Sequence, residues 1–125
     1  MASFKSFEEL AIWQIAREIN REIYNIIDST KLKTDFILKD QMSRASSSIM
    51  NNIAEGFGRG GTKEFIQFLS ISRGSVNELI AQVFQCVDSS YIENEKGEII
   101  QKKLYSLNKH FRIYQLPESI ENKRK

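Results

Sequence analysis

Apolar residues recur along this chain with helical spacing in four segments, separated by three short breaks. The first segment starts at Ser6, whose hydroxyl can cap free amides, with Glu9 three positions on to complete a capping box. It runs to about Asp28 and carries Ile12, Trp13, Ile15, Ala16, Ile19, Ile23, Tyr24, Ile26 and Ile27. At about 100° per residue these cover roughly 180° of the helix, wider than the stripe a surface helix needs. Ser29 to Thr34 reads as a polar connector. The second helix, Asp35 to Glu55, puts Leu38, Met42, Ala45, Ile49 and Ile53 on one face, and Gly56, Gly58, Gly60 and Gly61 are expected to end it.

Thr62 is a suitable cap for the third helix, and Glu64 in its first turn suits the helix dipole. Its main stripe is Phe65, Phe68, Leu69, Ser72, Val76, Leu79 and Val83, extending to about Ser90, with Ile66, Ile80, Phe84 and Val87 widening one flank. A turn at Asn94 to Gly97 leads to the last helix, where Ile100, Leu104, Leu107, Phe111 and Tyr114 keep 4-3-4-3 spacing until Leu116-Pro117 stops it. Helices joined by short loops pack antiparallel, so the pattern predicts an all-α, up-down-up-down four-helix bundle over residues 1–117, followed by a polar basic tail, 118–125. The wide arcs on helices one and three exceed what one bundle needs to cover. The excess, represented by Ile15, Ile19 and Ile26, predicts a homo-oligomer interface.

Composition narrows the function. At 125 residues the chain is one domain with room for a real core. Eighteen Lys and Arg against sixteen Asp and Glu give a net charge of +2, weaker than the bias of a dedicated nucleic-acid binder, and the excess lies in the tail at Lys123, Arg124 and Lys125. Cys86 is the sole cysteine, which excludes an internal disulfide and suits a reducing cytoplasm. Residues 1–10 lack the apolar core of a signal peptide, and no apolar run approaches a membrane span, so a cytoplasmic protein without a membrane is expected.

Candidate chemistry is sparse. Gly56 to Lys63 invites comparison with a phosphate loop, but the order after Gly61 is Thr-Lys and the segment follows a helix, which rejects nucleotide hydrolysis. A looser role remains open beside that of a simple turn: glycine amides, the start of helix three, Arg59 and Lys63 receiving a nucleic-acid phosphate. His110 is the only histidine, which removes His-pair metal sites and argues against a Ser-His pair, and Cys86 reads as a small core hydrophobe. No cofactor, no metal and no enzymatic activity are expected. Arg44, Ser48, Asn52 and Glu55 group on one side of helix two, and Glu64, Ser75, Glu78 and Gln82 on one side of helix three. These are either solvated faces or a polar network between helices or subunits, with Arg44 pairing Glu55 or Glu78.

The run Gln41-Met42-Ser43-Arg44-Ala45, then Ser48-Ile49-Met50-Asn51-Asn52-Ile53-Ala54-Glu55-Gly56, Gly58-Arg59, Lys63-Glu64-Phe65, Phe68-Leu69 and Arg73-Gly74-Ser75-Val76-Asn77-Glu78-Leu79 resembles the bacterial four-helix-bundle family encoded in intervening sequences of 23S ribosomal RNA genes. Phe7, Leu10, Trp13 and Tyr24 are similar to its first helix, so the likeness spans roughly residues 4 to 115. The resemblance implies an antiparallel bundle assembling into a homopentameric ring. It also implies kinship with the accessory variability proteins of diversity-generating retroelements, whose basic barrels bind nucleic acid and contact a reverse transcriptase. The chain departs from that pattern at Lys31-Leu32-Lys33-Thr34, where a Pro and a Glu are expected, and in its low net charge. The expectation is therefore a non-enzymatic homo-oligomer with an RNA- or DNA-binding surface at Arg44, Arg59, Lys63 and Arg73. The alternative is a protein-interaction scaffold that binds no nucleic acid.

Overall fold

The computed structural model describes residues 4–115, all-α among those residues, as four helices: α1 (Ala11–Ser29), α2 (Phe36–Gly58), α3 (Thr62–Asp88) and α4 (Asn94–Gln115). The stop at Leu116-Pro117 and the tail 118–125 lie outside the described residues.

The pairings fix the direction of the helices. Met42 meets Cys86, Ile49 meets Ser72 and Gly56 meets Phe68, so α2 and α3 run antiparallel. Gly97 against Val87, Gln101 on Ile80 and Gln115 on Ile66 make α4 antiparallel to α3. Each helix packs on its two neighbours around a square, most extensively at α2–α3 and least at α1–α4. The predicted stripes meet inside: Ile12, Ile19, Ile23, Met42, Ile49, Ile53, Leu69, Leu79, Leu104 and Phe111 are all buried in one continuous core.

The helix ends differ from expectation for local reasons. Ser6 does not begin α1. It precedes a 3-10 turn, Phe7–Glu9, and its hydroxyl caps nothing, while Glu9 Oε2 accepts from the Lys5 amide. Leu10, extended and fully buried, is the residue that precedes α1. The connector is not simply polar: Lys31–Thr34 forms a second 3-10 turn that buries Leu32 completely, so this loop is anchored to the core. Asp35 caps α2, its Oδ1 accepting from the Leu38 amide at 3.1 Å. Gly56 and Gly58 extend α2 rather than ending it, and the break falls at Arg59–Gly61, where Gly60 takes φ +80°. Thr62 is the first residue of α3 and Gly61 its cap, without a side-chain bond. Asn94 to Gly97, expected as a turn, is the first turn of α4, and Gly97 is buried against Val87.

Candidate functional site

The family-like segments of α2 and α3 face each other along their seam. Gly56 lets the helices approach there: a Cβ on it would lie 2.7 Å from the Phe68 Cβ. Beyond that crossing the seam is hydrogen-bonded. Ser72 Oγ donates to the Ile49 carbonyl at 2.8 Å, fully buried, and Ser75 Oγ donates to Ser48 Oγ at 2.8 Å. Asn52 Nδ2 donates to the Ser48 carbonyl at 2.8 Å and to Ser48 Oγ at 3.0 Å. Ser48, Asn52 and Ser75 thus form a polar cluster between the helices.

The charged members of the predicted network do not join it. Arg44 pairs with Asp40 at 2.8 Å, not with Glu55 or Glu78. The reason is reach: Asp40 is one turn away, whereas Glu55 lies eleven residues on, about 16 Å along the axis. Glu55 takes Arg59 instead, at 2.8 Å, and Glu78 has no ion pair among the described residues. Outside the serine cluster the seam opens into a groove of about 470 Å³ bordered by Arg44, Ser48, Ser75, Glu78 and Gln82. Gln82 is 7 % exposed, and its Oε1 is buried without a hydrogen-bond partner among the described residues.

The four cations expected to form one nucleic-acid surface lie in three places. Arg44 borders the groove, and Arg59 sits fifteen residues further along α2, roughly 22 Å away. Arg73 points toward α4, where its Nη1 donates to Gln115 Oε1 at 2.7 Å. Arg59 and Lys63 do share the α2–α3 turn. The Arg59 guanidinium stacks 5.3 Å from the Phe68 ring centre, and Lys63 is exposed without an ion pair among the described residues. The amides at the start of α3 are less open than the glycines suggest, because the Glu64 carboxylate folds back onto Gly61.

The interface residues also separate. Ile19 is 0 % exposed and Ile26 3 %, so both are consumed by the core of a single chain, which corrects their assignment to a subunit surface. Only Ile15 is half-buried, at the seam of α1 and α4 beside Lys102 and Ser106. The large apolar side chains left outside are others, among them Phe36, Ile37, Ile71, Phe84, Ile99 and Ile113. Of these, Phe84 belongs to the flank that widens the α3 stripe, whereas Phe36, Ile37, Ile71, Ile99 and Ile113 lie off every core stripe.

Reactive groups are quiet. Cys86 is buried with its Sγ 3.3 Å from Met42 Sδ, and burial first, then the Asp35 charge, pushes its thiol up to about 11. His110 Nδ1 lies 2.9 Å from the Ser106 carbonyl. Among the described residues no group of three or more His, Cys, Asp or Glu is placed to hold a metal ion, and no helix is long and apolar enough to cross a membrane.

A crystal structure of a protein of unknown function from the S23 ribosomal protein family of Bacteroides thetaiotaomicron superimposes with a TM-score of 0.76 at 22% identity, covering 85% of this chain and 99% of that one. At that identity the likeness shows the fold alone. No curated protein matches the sequence. The family model for the 23S rRNA-intervening sequence protein matches residues 8–112, which takes in all four helices and the α2–α3 seam, and the chain belongs to that family.

Proposed function

We propose that the chain works as a non-enzymatic homo-oligomer, a pentamer by its family resemblance, that offers the Arg59–Lys63 turn of each subunit to an RNA or DNA backbone. The observation that carries self-association is the apolar surface remaining once the core is complete. Phe36 and Ile37, adjacent at the start of α2, are 72% and 75% exposed although one chain already buries a full set of stripes. The buried thiol of Cys86 and the single histidine, tied to its own helix, support a role without catalysis.

For the ligand, the support is narrower than the sequence suggested. Arg59 and Lys63 are the two predicted cations that the fold brings to one turn, and repeating that turn around a ring multiplies phosphate contacts that are weak singly. Light scattering with and without labelled RNA tests both parts. The expected result is an oligomer that retains RNA at low salt, releases it as salt rises, and binds more weakly after Arg59→Glu and Lys63→Glu. A folded oligomer that shifts neither RNA nor DNA at low salt overturns the nucleic-acid part. Co-purification of a protein that survives nuclease and high salt then favours the scaffold. A monomer at all concentrations overturns self-association.

A further inference from the structure

The α2–α3 groove and the outer side of α4 carry matching patterns. Along α4, Ile99, Lys102, Ser106, Lys109 and Ile113 are all exposed and spaced 3-4-3-4, so they fall within about 80° of one another on the outer side of the helix, with Lys102 and Ser106 also bordering the α1–α4 seam. Apolar residues close both ends of this stripe, two lysines without ion pairs among the described residues stand between them, and a serine lies at its centre. From Ile99 to Ile113 it is about 21 Å long.

The groove has the complementary order. Ile37 extends the α2 wall past one end and Ile71 extends the α3 wall past the other, 75% and 51% exposed. Between them the Arg44 charge is answered by Asp40, which leaves the Glu78 carboxylate as the unbalanced charge of the groove. Ala45, Ser48, Ser75 and Ala81 keep its floor low enough for a helix to approach closely. The α3 wall from Ile71 to Gln85 is also about 21 Å long.

We infer that the outer face of α4 from a second copy of this chain docks along the α2–α3 groove, with Lys102 or Lys109 at Glu78, Ser106 over the serine floor, and the isoleucines of the stripe against Ile37 and Ile71. The inference rests on the self-association proposed above and gives it a place. The two surfaces are different parts of one chain, so the contact is head-to-tail: every copy keeps one groove and one stripe free for a neighbour, and assembly goes on until a ring closes.

Charge reversal on the full chain, read by light scattering across a concentration series, tests it. Glu78→Lys, and separately Lys102→Glu with Lys109→Glu, each place like charges together and are expected to raise the dissociation constant about tenfold or more. The three changes combined restore opposite signs and recover most of the assembly. All three positions are exposed, and unchanged helical circular dichroism confirms that each variant folds. A wild-type oligomer with both variants at wild-type mass overturns the groove contact and leaves self-association standing. Weakened variants that the combination does not rescue overturn the direct pairing. A monomeric wild type overturns both readings.

Discussion

Asp35 uses both carboxylate oxygens, one on the Leu38 amide and the other on the Tyr91 hydroxyl at 2.8 Å, so one side chain starts α2 and ties it to the α3–α4 connection. The Leu38 amide first, then the Tyr91 hydroxyl, hold its carboxyl below the ordinary value. The unfolded chain therefore takes up this proton at a higher pH than the folded one. The stabilisation is complete above about pH 4 and disappears as pH falls through the lower folded value. Tyr91 has the opposite sign: its bond to Asp35, then burial, raises the phenol, so its share is present below about pH 10 and is lost as pH rises through the folded value. Asp35→Ala is expected to lower Tm at pH 7 and flatten the acid limb of a Tm-against-pH curve, whereas Tyr91→Phe should change the alkaline limb and keep the cap. An acid limb identical to wild type in Asp35→Ala would show that this carboxylate does no such work. Two glycines give a second residue-scale contrast. Gly56→Ala forces its Cβ to 2.7 Å from Phe68 Cβ and should cost about 1–3 kcal/mol in denaturant unfolding. Gly74→Ala, mid-helix with open space around it, should gain about 0.5–1 kcal/mol. Equal signs for the pair would contradict the packing described at the seam.

Among elements, periodicity located all four helices because each buries a repeating stripe, and it misplaced their ends because ends are set by single residues. Leu32 is fully buried yet stands alone among Lys31, Lys33 and Thr34, and Leu10, also fully buried, lies just ahead of the α1 stripe, so no period announces either as an anchor. Ser6 and Glu9 match a capping box in type and spacing, but Leu10 is drawn into the core and the chain makes a 3-10 turn first. The width of the α1 stripe predicts core plus interface. In the structure Ile19 and Ile26 face inward with the rest, because α1 is enclosed on two sides by α2 and α4 and anchored below by the Leu32 turn. Stability should follow that division. Ile19→Ala is expected to cost about 2–5 kcal/mol by equilibrium unfolding, while Ile15→Ala, half-buried, should cost markedly less. Similar losses at the two positions would place Ile15 in the core after all.

At the scale of the whole molecule, the candidate site was legible where it depends on helix register and illegible where it depends on neighbours. The grouping of Ser48, Asn52 and Ser75 follows from 3.6-residue spacing and became a real cluster across the seam. The partners of Arg44 and Glu55 did not follow, since each had an opposite charge one turn away that competed with any across the bundle. Nor could sequence tell that Arg73 turns to Gln115 of α4 while Arg59 stays at the turn, a difference created by which helix sits beside each. Assembly adds a level that one chain's packing leaves unfixed, and it has a thermodynamic signature independent of any ligand. If folding and association are coupled, mass action ties stability to protein concentration. Each tenfold increase in concentration should then raise the wild-type Tm by a few degrees, as expected for a domain of this size. The Glu78→Lys variant should lose most of that dependence while keeping its Tm at high dilution, because the substitution touches the groove and not the core. A wild-type Tm that is flat with concentration would mean that the bundle is complete as a single chain and that its exposed isoleucines serve some surface other than its own.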